Sequence, residues 1–308
     1  MEHAIRLKFG RAWKYRFYYA LIIPGLLFFF IFSYVPMAGL LIAFKNVNPY
    51  MGLQGIIDSP WVGLTHIQRF INSYYFWNII RNTVLISFYK LLFGFPLPIV
   101  LALLLNELRA KTFKKIVQSI SYFPHFLSAV VMTGMIYAIF SAETGLFNVL
   151  LRQFGADPVF FLGDVRYFRS VLVASDIWQG VGWASIIYLA AISGVDPHLY
   201  EAATVDGAGK FKQAWHITLP GIMHIITLLL ILQIGKVLDA GFEQIVLLYS
   251  PQVYQVADII DTYVYREGII NLNYSYTAAI GFFKSFFSLI LILGANYAAK
   301  RLGQSGIW

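Results

Sequence analysis

The sequence predicts an all-α integral membrane protein with about six transmembrane helices and both termini in the cytoplasm. Three observations carry this reading. Of its 308 residues, 59% are hydrophobic and 12% charged, and the mean hydropathy is +0.67; a soluble domain of this size fills its core with less. The apolar residues gather in runs at 18–44, 82–105, 116–140, 170–193, 221–247 and 277–299, each near or above the roughly 20 residues that a span needs. The third observation is where the positive charges fall.

Along the chain, residues 1–17 read as a cytoplasmic N-terminal segment carrying Arg6, Lys8, Arg11, Lys14 and Arg16. The run after it is too long for a signal-peptide core and no small-residue cleavage site follows, so it reads as a retained helix. Arg109, Lys111, Lys114 and Lys115 lie between the second and third runs, Lys210 and Lys212 between the fourth and fifth, and Lys300 and Arg301 after the sixth. Alternate loops therefore place all of these on one side. Lys45, Arg69, Arg81, Arg152, Arg166, Arg169 and Arg266 fall on the other. The positive-inside rule makes the first set cytoplasmic. The net charge of +8 is then a topology signal, and no nucleic-acid partner is expected. With no cysteine, disulfides, thiolate nucleophiles and cysteine metal sites are excluded, a composition that suits a bacterial inner membrane. Residues 18–308 read as a single transmembrane domain.

In the outside loop 45–81, Leu64, Ile67, Phe70, Ile71 and Tyr74 share one face at helical spacing, with Trp61, Tyr75 and Trp77 nearby. This predicts an interfacial helix, serving as an anchor or as a ligand contact. Pro24, Pro36, Pro96, Pro98 and Pro124 interrupt the first three runs. They either shape the helices for packing or kink them for movement.

The cytoplasmic loop 195–220 has legible local physics. Asp196 before Pro197 is a helix start; Leu199, Ala202, Ala203 and Asp206 continue a short helix; Gly207 and Gly209 stop it. Phe211, Ala214 and Trp215 form a second apolar face, and Pro220 closes the piece. An apolar patch that its own chain does not cover suggests docking to a partner.

Glu201, Ala202, Ala203, then Gly207, Ile217, Leu219 and Pro220 match EAA-x3-G-x9-I-x-L-P. At these positions the chain resembles the permease subunits of ABC importers. The resemblance implies a type I ABC importer permease fold. It also implies that Glu201, Ala202, Ala203, Asp206, Gly207, Leu219 and Pro220 couple the chain to an ATPase. Further stretches, SPWVGL at 59–64, RNT at 81–83, FPLP at 95–98, ALLLNE at 102–107 and SYFPHF at 121–126, look like the maltose-type carbohydrate permeases. With DIW at 176–178, GFEQ at 241–244 and DTYVYR at 261–266, they look closest to the branch for complex oligo- and polysaccharides of the pectin or alginate type. The implied partners are a second, different permease subunit, two ATP-binding subunits, an extracytoplasmic solute-binding protein, the carbohydrate and membrane lipid. GAGK at 207–210 is not a phosphate loop, because position 204 is Thr and 211 is Phe. No cofactor is expected in this chain; ATP and Mg belong to the ATPase subunits.

Charged and amide groups inside spans mark a pathway or a structural pair. Gln233, Lys236, Asp239 and Glu243 recur at three- and four-residue spacing and would share a face of the fifth span. Asp176, Gly180 and Trp183 would share a face of the fourth, with Trp178 and Gln179 beside them. Lys90 and Lys284 lie inside the second and sixth runs. These groups suit sugar hydroxyls and ring faces; they equally suit pairing within the helices or contact with a second permease. The lysines hint at an acidic sugar, and Asp176, Asp239 and Glu243 offset the hint. The embedded acids also fit an ion-coupled secondary transporter, but inverted repeats are absent and the loop 195–220 stays unexplained. An intramembrane enzyme built on His125 and Asp176 has no nucleophile or metal motif behind it, so no catalytic or metal-binding residue is assigned.

Overall fold

The computed structural model describes residues 14–304 together with 306 and 307. Arg6, Lys8 and Arg11, part of the orientation argument, lie outside them. Among the described residues regular structure is helical, apart from one antiparallel bridge between Lys45 and Trp61. In chain order the helices are α1 (Arg16–Phe44), α2 (Gly52–Asp58), α3 (Thr65–Ile71), α4 (Phe76–Glu107), α5 (Lys111–Phe126), α6 (Ala129–Phe140), α7 (Leu146–Gln153), α8 (Phe168–Ser193), α9 (Pro197–Val205), α10 (Lys210–Gly221), α11 (Met223–Gly235), α12 (Phe242–Leu248), α13 (Ile260–Tyr265) and α14 (Tyr274–Arg301).

Six spans are present only if bent helices are counted. The helices α1, α4 and α14, of 29, 32 and 28 residues, are long and apolar enough to cross alone. The other three are pairs: α5 and α6 meet at 107°, α8 and α9 at 74°, and α10 and α11 at 64°. Two expectations of a continuous span are therefore corrected. The run 116–140 breaks at Leu127–Ser128, where Pro124 sits in a tight turn and the Ser128 hydroxyl accepts from the amide of Val131 to start α6. The run 221–247 breaks after Gly235. Its first piece, α11, has 13 residues, about 20 Å.

The chain sorts into two compact units, residues up to 71 with 267–282, and residues 72–266 with 283–308. In the first, α1 is apolar all round and buries only Ala43, the pattern of a helix surrounded by lipid. Before Pro36, which has no amide hydrogen to give, Phe30–Tyr34 widens into a π-turn, and the Val35 amide reaches Phe30 O. Lys45 Nζ donates to Ile56 O and Ile57 O at 3.0 and 2.9 Å, a cation at the C-terminal end of α2. The interfacial face expected over Leu64–Tyr74 is split. The helix α3 ends at Ile71; Phe70 is buried beside His66, while Leu64, Ile71 and Tyr74 stay exposed, as do Trp61, Tyr75 and Trp77.

In the second unit α8 is central. Toward its C-terminal end Tyr188 and Ile192 pack on Ile99 and Ala102 of α4 and on Ile222. Toward its N-terminal end Phe168, Val171 and Leu172 join Ile86 of α4, Met132 and Ile136 of α6, and Ile245 and Leu248 of α12. Gly182 lies where the Ser121 carbonyl leaves no room for a Cβ, so α5 and α8 touch backbone to backbone. Within lipid such contacts gain little from excluding water; fit and hydrogen bonds decide the pairing.

The tightest polar staple is Asn82 of α4, which has no exposed surface. Its amide donates to Gln255 O and Asp258 O at 3.1 and 3.0 Å. Its carbonyl accepts from Arg169 Nη2 at 2.6 Å, and Arg169 Nε donates to Val256 O. Beside it, Thr83 Oγ1 accepts from the Ile260 amide, and Arg266 pairs with Asp258 at 2.6 Å. Replacing Asn82 with Ala takes one acceptor from the Arg169 guanidinium and the side-chain donor from the Gln255 and Asp258 carbonyls, the latter on a buried residue, which costs about 1–3 kcal/mol. Thermal unfolding of the Asn82→Ala protein in detergent, followed by circular dichroism, is expected to show a midpoint several degrees below the parent.

Candidate functional site

The loop 195–220 forms the helical pair that the residues predict. Asp196 Oδ1 accepts from the His198 amide at 3.0 Å and Pro197 opens α9. Gly207, at φ +76°, closes it. Its amide reaches Thr204 O at 3.1 Å and the Ala208 amide reaches Ala203 O at 2.8 Å, the paired bonds of a Schellman stop. Gly209 has an ordinary φ of −69°, so only Gly207 needs to be glycine here.

Three contacts that the motif does not specify lock the pair. Gln213, buried, donates to Thr204 Oγ1 at 2.9 Å and Ala208 O at 3.0 Å. The hydroxyls of Tyr200 and Thr218 meet at 2.9 Å. Lys210 pairs with Glu107 at the end of α4. What the lock presents outward is Glu201, Ala202, Asp206, Val205 and a stacked Phe211–Trp215 pair, with Val205 89% and Phe211 80% exposed. Ala203 is half-buried and Pro220 exposed. Leu219 instead packs inward on the Ile99–Tyr188 cluster, so it shapes the loop rather than its surface.

A cavity of about 550 Å³ lies between α4, α8 and the break that follows α11. Asp176, Gly180, Gln233, Lys236 and Asp239 line it, as expected, and so does Lys90. The common face drawn through Gln233, Lys236, Asp239 and Glu243 does not exist, because the helix ends at Gly235. Val237–Asp239 form a single tight turn, and Ala240 and Gly241 take left-handed φ of 48° and 88°. Glu243 starts α12, exposed and away from the lining. Four other expected residues also lie off the cavity. Trp183 stacks on His125 at 4.6 Å, and Gln179 donates to Leu127 O; both support the bend between α5 and α6. Trp178 is 43% exposed. Lys284 pairs with Asp239 and Asp261, both at 2.7 Å. On α8 the lining stripe runs through Ile177, Gly180, Ala184 and Ile187, turned roughly 90° from Trp183 at about 100° per residue.

Lys90 Nζ donates to Asp176 Oδ1 at 2.7 Å and approaches Gln244 Oε1 at 3.4 Å. Gln244, buried, donates to Ser175 Oγ at 2.7 Å. Gln244, Asp261 and Gly241 were outside the sequence expectation. The signals for them are the phrase GFEQ at 241–244, whose glycine interrupts an apolar run, and DTYVYR at 261–266, which opens on Asp261. Gly241 also leaves the space that the Lys90 ammonium occupies, since a Cβ there would collide with it.

Gly241→Ala meets both constraints at once, a left-handed φ and an occupied site. It is expected to push Lys90 off Asp176 and to lower transport by about tenfold, with a smaller effect for Ala240→Gly, where glycine relieves the backbone. Uptake by vesicles carrying each variant at matched protein levels checks this.

Residues 94–304 match the model of the binding-protein-dependent transport system inner membrane component family. Protein LplB of Bacillus subtilis (strain 168) is 46% identical over 290 residues, which is 94% of this chain and 90% of LplB. The polygalacturonan/rhamnogalacturonan transport system permease protein YteP of the same organism is 44% identical over 293 residues, 95% of this chain and 90% of YteP. In the crystal structure of a bacterial ABC transporter involved in the import of the acidic polysaccharide alginate, one chain superimposes with a TM-score of 0.88 at 40% identity, covering 96% of this chain and 99% of that one. A second structure of a bacterial alginate ABC transporter, in complex with a periplasmic protein bound to an alginate pentasaccharide, gives a TM-score of 0.89 at 39% identity, covering 97% and 99%. With its fold and its sequence in agreement, this multi-pass chain belongs to the family of binding-protein-dependent transport system inner membrane components.

Proposed function

We propose that the chain is one of two permease subunits of an ATP-driven importer in the bacterial cytoplasmic membrane, with both termini in the cytoplasm. It takes an oligo- or polysaccharide from an extracytoplasmic binding protein and passes it inward by alternating access. ATP and Mg are bound by two separate ATPase subunits, and the second permease is a different chain.

The observation that carries the reading is the exposed pair α9–α10. Its turn is fixed by Gly207 and Gln213, yet Val205, Phe211 and Trp215 are left open. A rigid support beneath an uncovered apolar surface suits docking into a groove of a partner. The Glu201 carboxylate is exposed and available to a basic residue there. The carbohydrate cargo is supported by the names of the relatives, which specify galacturonan and alginate, polymers that carry a carboxylate on their sugar units. The carboxylates within the apolar runs that suggested ion coupling have structural partners: Asp176 is held by Lys90 and Asp239 by Lys284.

Gly207→Val imposes a β-branched side chain at φ +76° and costs the turn about 1–2 kcal/mol or more. Purification of the tagged chain from its native membrane is expected to bring down an ATPase and a second permease. The variant is expected to keep the permease, lose most of the ATPase, and lose sugar uptake with it. Recovery of the unaltered chain without an ATPase would overturn the importer reading.

A further inference from the structure

We propose that Lys236 and Gln233 form a carboxylate-reading subsite in the cavity, so that the sugar passing it is an acidic one, a uronic-acid unit. This rests on the carbohydrate reading above and assigns its recognition to particular atoms.

The charges around the cavity are unequal in their commitments. Four charged side chains line it: Lys90, Asp176, Lys236 and Asp239. Lys90 and Asp176 are joined at 2.7 Å, with the Lys90 side chain 10% and the Asp176 side chain 41% exposed, so the lysine is committed although its carboxylate partner still faces the cavity. Asp239 Oδ1 is held at 2.7 Å by Lys284, itself 16% exposed. Lys236 is exposed, and among the described residues it has no ion pair and no side-chain hydrogen bond. Its ammonium is the charge that the lining offers without a counterion.

Position adds to this. Lys236 follows the last turn of α11, and Gln233 lies one turn earlier on the same lining. A carboxylate on Lys236 therefore sits about one helical turn from an amide that both donates and accepts, which suits a ring hydroxyl of the same sugar. Ile187, Leu229 and Leu232 supply apolar surface for the ring faces. The volume, about 550 Å³, lies within the range of roughly 300–1,000 Å³ typical of ligand cavities. The competing arrangement is internal. Lys284 is shared between Asp239 and Asp261, so Lys236 could turn onto Asp239 and close the subsite.

The test is uptake by proteoliposomes holding the complete importer and its binding protein, with trigalacturonate and its methyl ester as the two probes. In Lys236→Gln, uptake of the acid is expected to fall by about tenfold or more, the worth of one charge-assisted hydrogen bond, and the preference over the ester to vanish. Lys236→Arg, which keeps the charge, is expected to retain that preference within about twofold. Two outcomes overturn the subsite and leave the carbohydrate reading standing: both probes falling together in Lys236→Gln, as a lost Lys236–Asp239 pair predicts, or neither changing. If the unaltered importer takes up neither probe, the subsite falls; uptake of a neutral oligosaccharide by the same vesicles then keeps the carbohydrate reading, and its failure as well overturns that reading too.

Discussion

No α-helix continues through Ala240 and Gly241. Their φ values of 48° and 88° keep the fifth span broken where its backbone lines the cavity, the setting in which an irregular segment of a membrane helix is tolerated. The chain recovers what it can locally: Lys236 N reaches Gln233 O, Asp239 N reaches Lys236 O, and Ile245 N reaches Gly241 O before α12 resumes. The same break admits Lys90 into the space a side chain on Gly241 would fill. It aims Lys236 and Asp239 at the cavity and places Ala240 and Ile245 in the largest apolar cluster. Cavity, ion pairs and core all follow from two left-handed residues.

A second dependence runs through α8. One stripe of this helix, from Asp176 to Tyr188, lines the cavity, and its end turns through 74° into α9. The helix α10 likewise runs into α11, whose last turn carries Gln233 and Lys236. The exposed pair α9–α10 is thus continuous in chain with two walls of the cavity. In the proposed importer, a push on α9 and α10 needs no relay of side chains to reach the cargo, because rigid helices already join the two places.

The parts legible in the sequence were those fixed by local chemistry. Asp196 before Pro197 and the glycine at 207 specify their own geometry, and the structure places a cap and a Schellman stop there. Hydropathy located all six runs but was blind to their continuity, since Gly235, Ala240 and Gly241 are as apolar in composition as a straight helix. Spacing then misled. A face through Gln233, Lys236, Asp239 and Glu243 presumes 100° per residue, and the residues past Gly235 do not obey it. Trp183 failed differently: α8 is a helix there, but the cavity addresses the neighbouring stripe, and the indole stacks on His125. Lys284 needed partners from α13 and from the break, an arrangement over distances that no local pattern encodes.

The distribution of polar staples bears on which parts can move. Asn82 with Arg169, Asp258 with Arg266, Lys90 with Asp176, and Lys284 with Asp239 and Asp261 all join elements at the break or beyond it toward the Phe76 end of α4 and the Phe168 end of α8. Along the other half of the same two helices, Ile99 and Ala102 meet Tyr188 and Ile192 through apolar surfaces alone. A buried ion pair has one good geometry and loses much of its energy when either partner shifts. Contact between small and aliphatic side chains in lipid loses little when it slides by a fraction of a turn. That apolar half carries one exposed pair, Lys210 with Glu107, so these helices splay more readily there, at the half that adjoins the loop 195–220. In the proposed importer, alternating access is then a pivot about the ion pairs, with the halves of α4 and α8 nearest α9 and α10 as the parts that part and close.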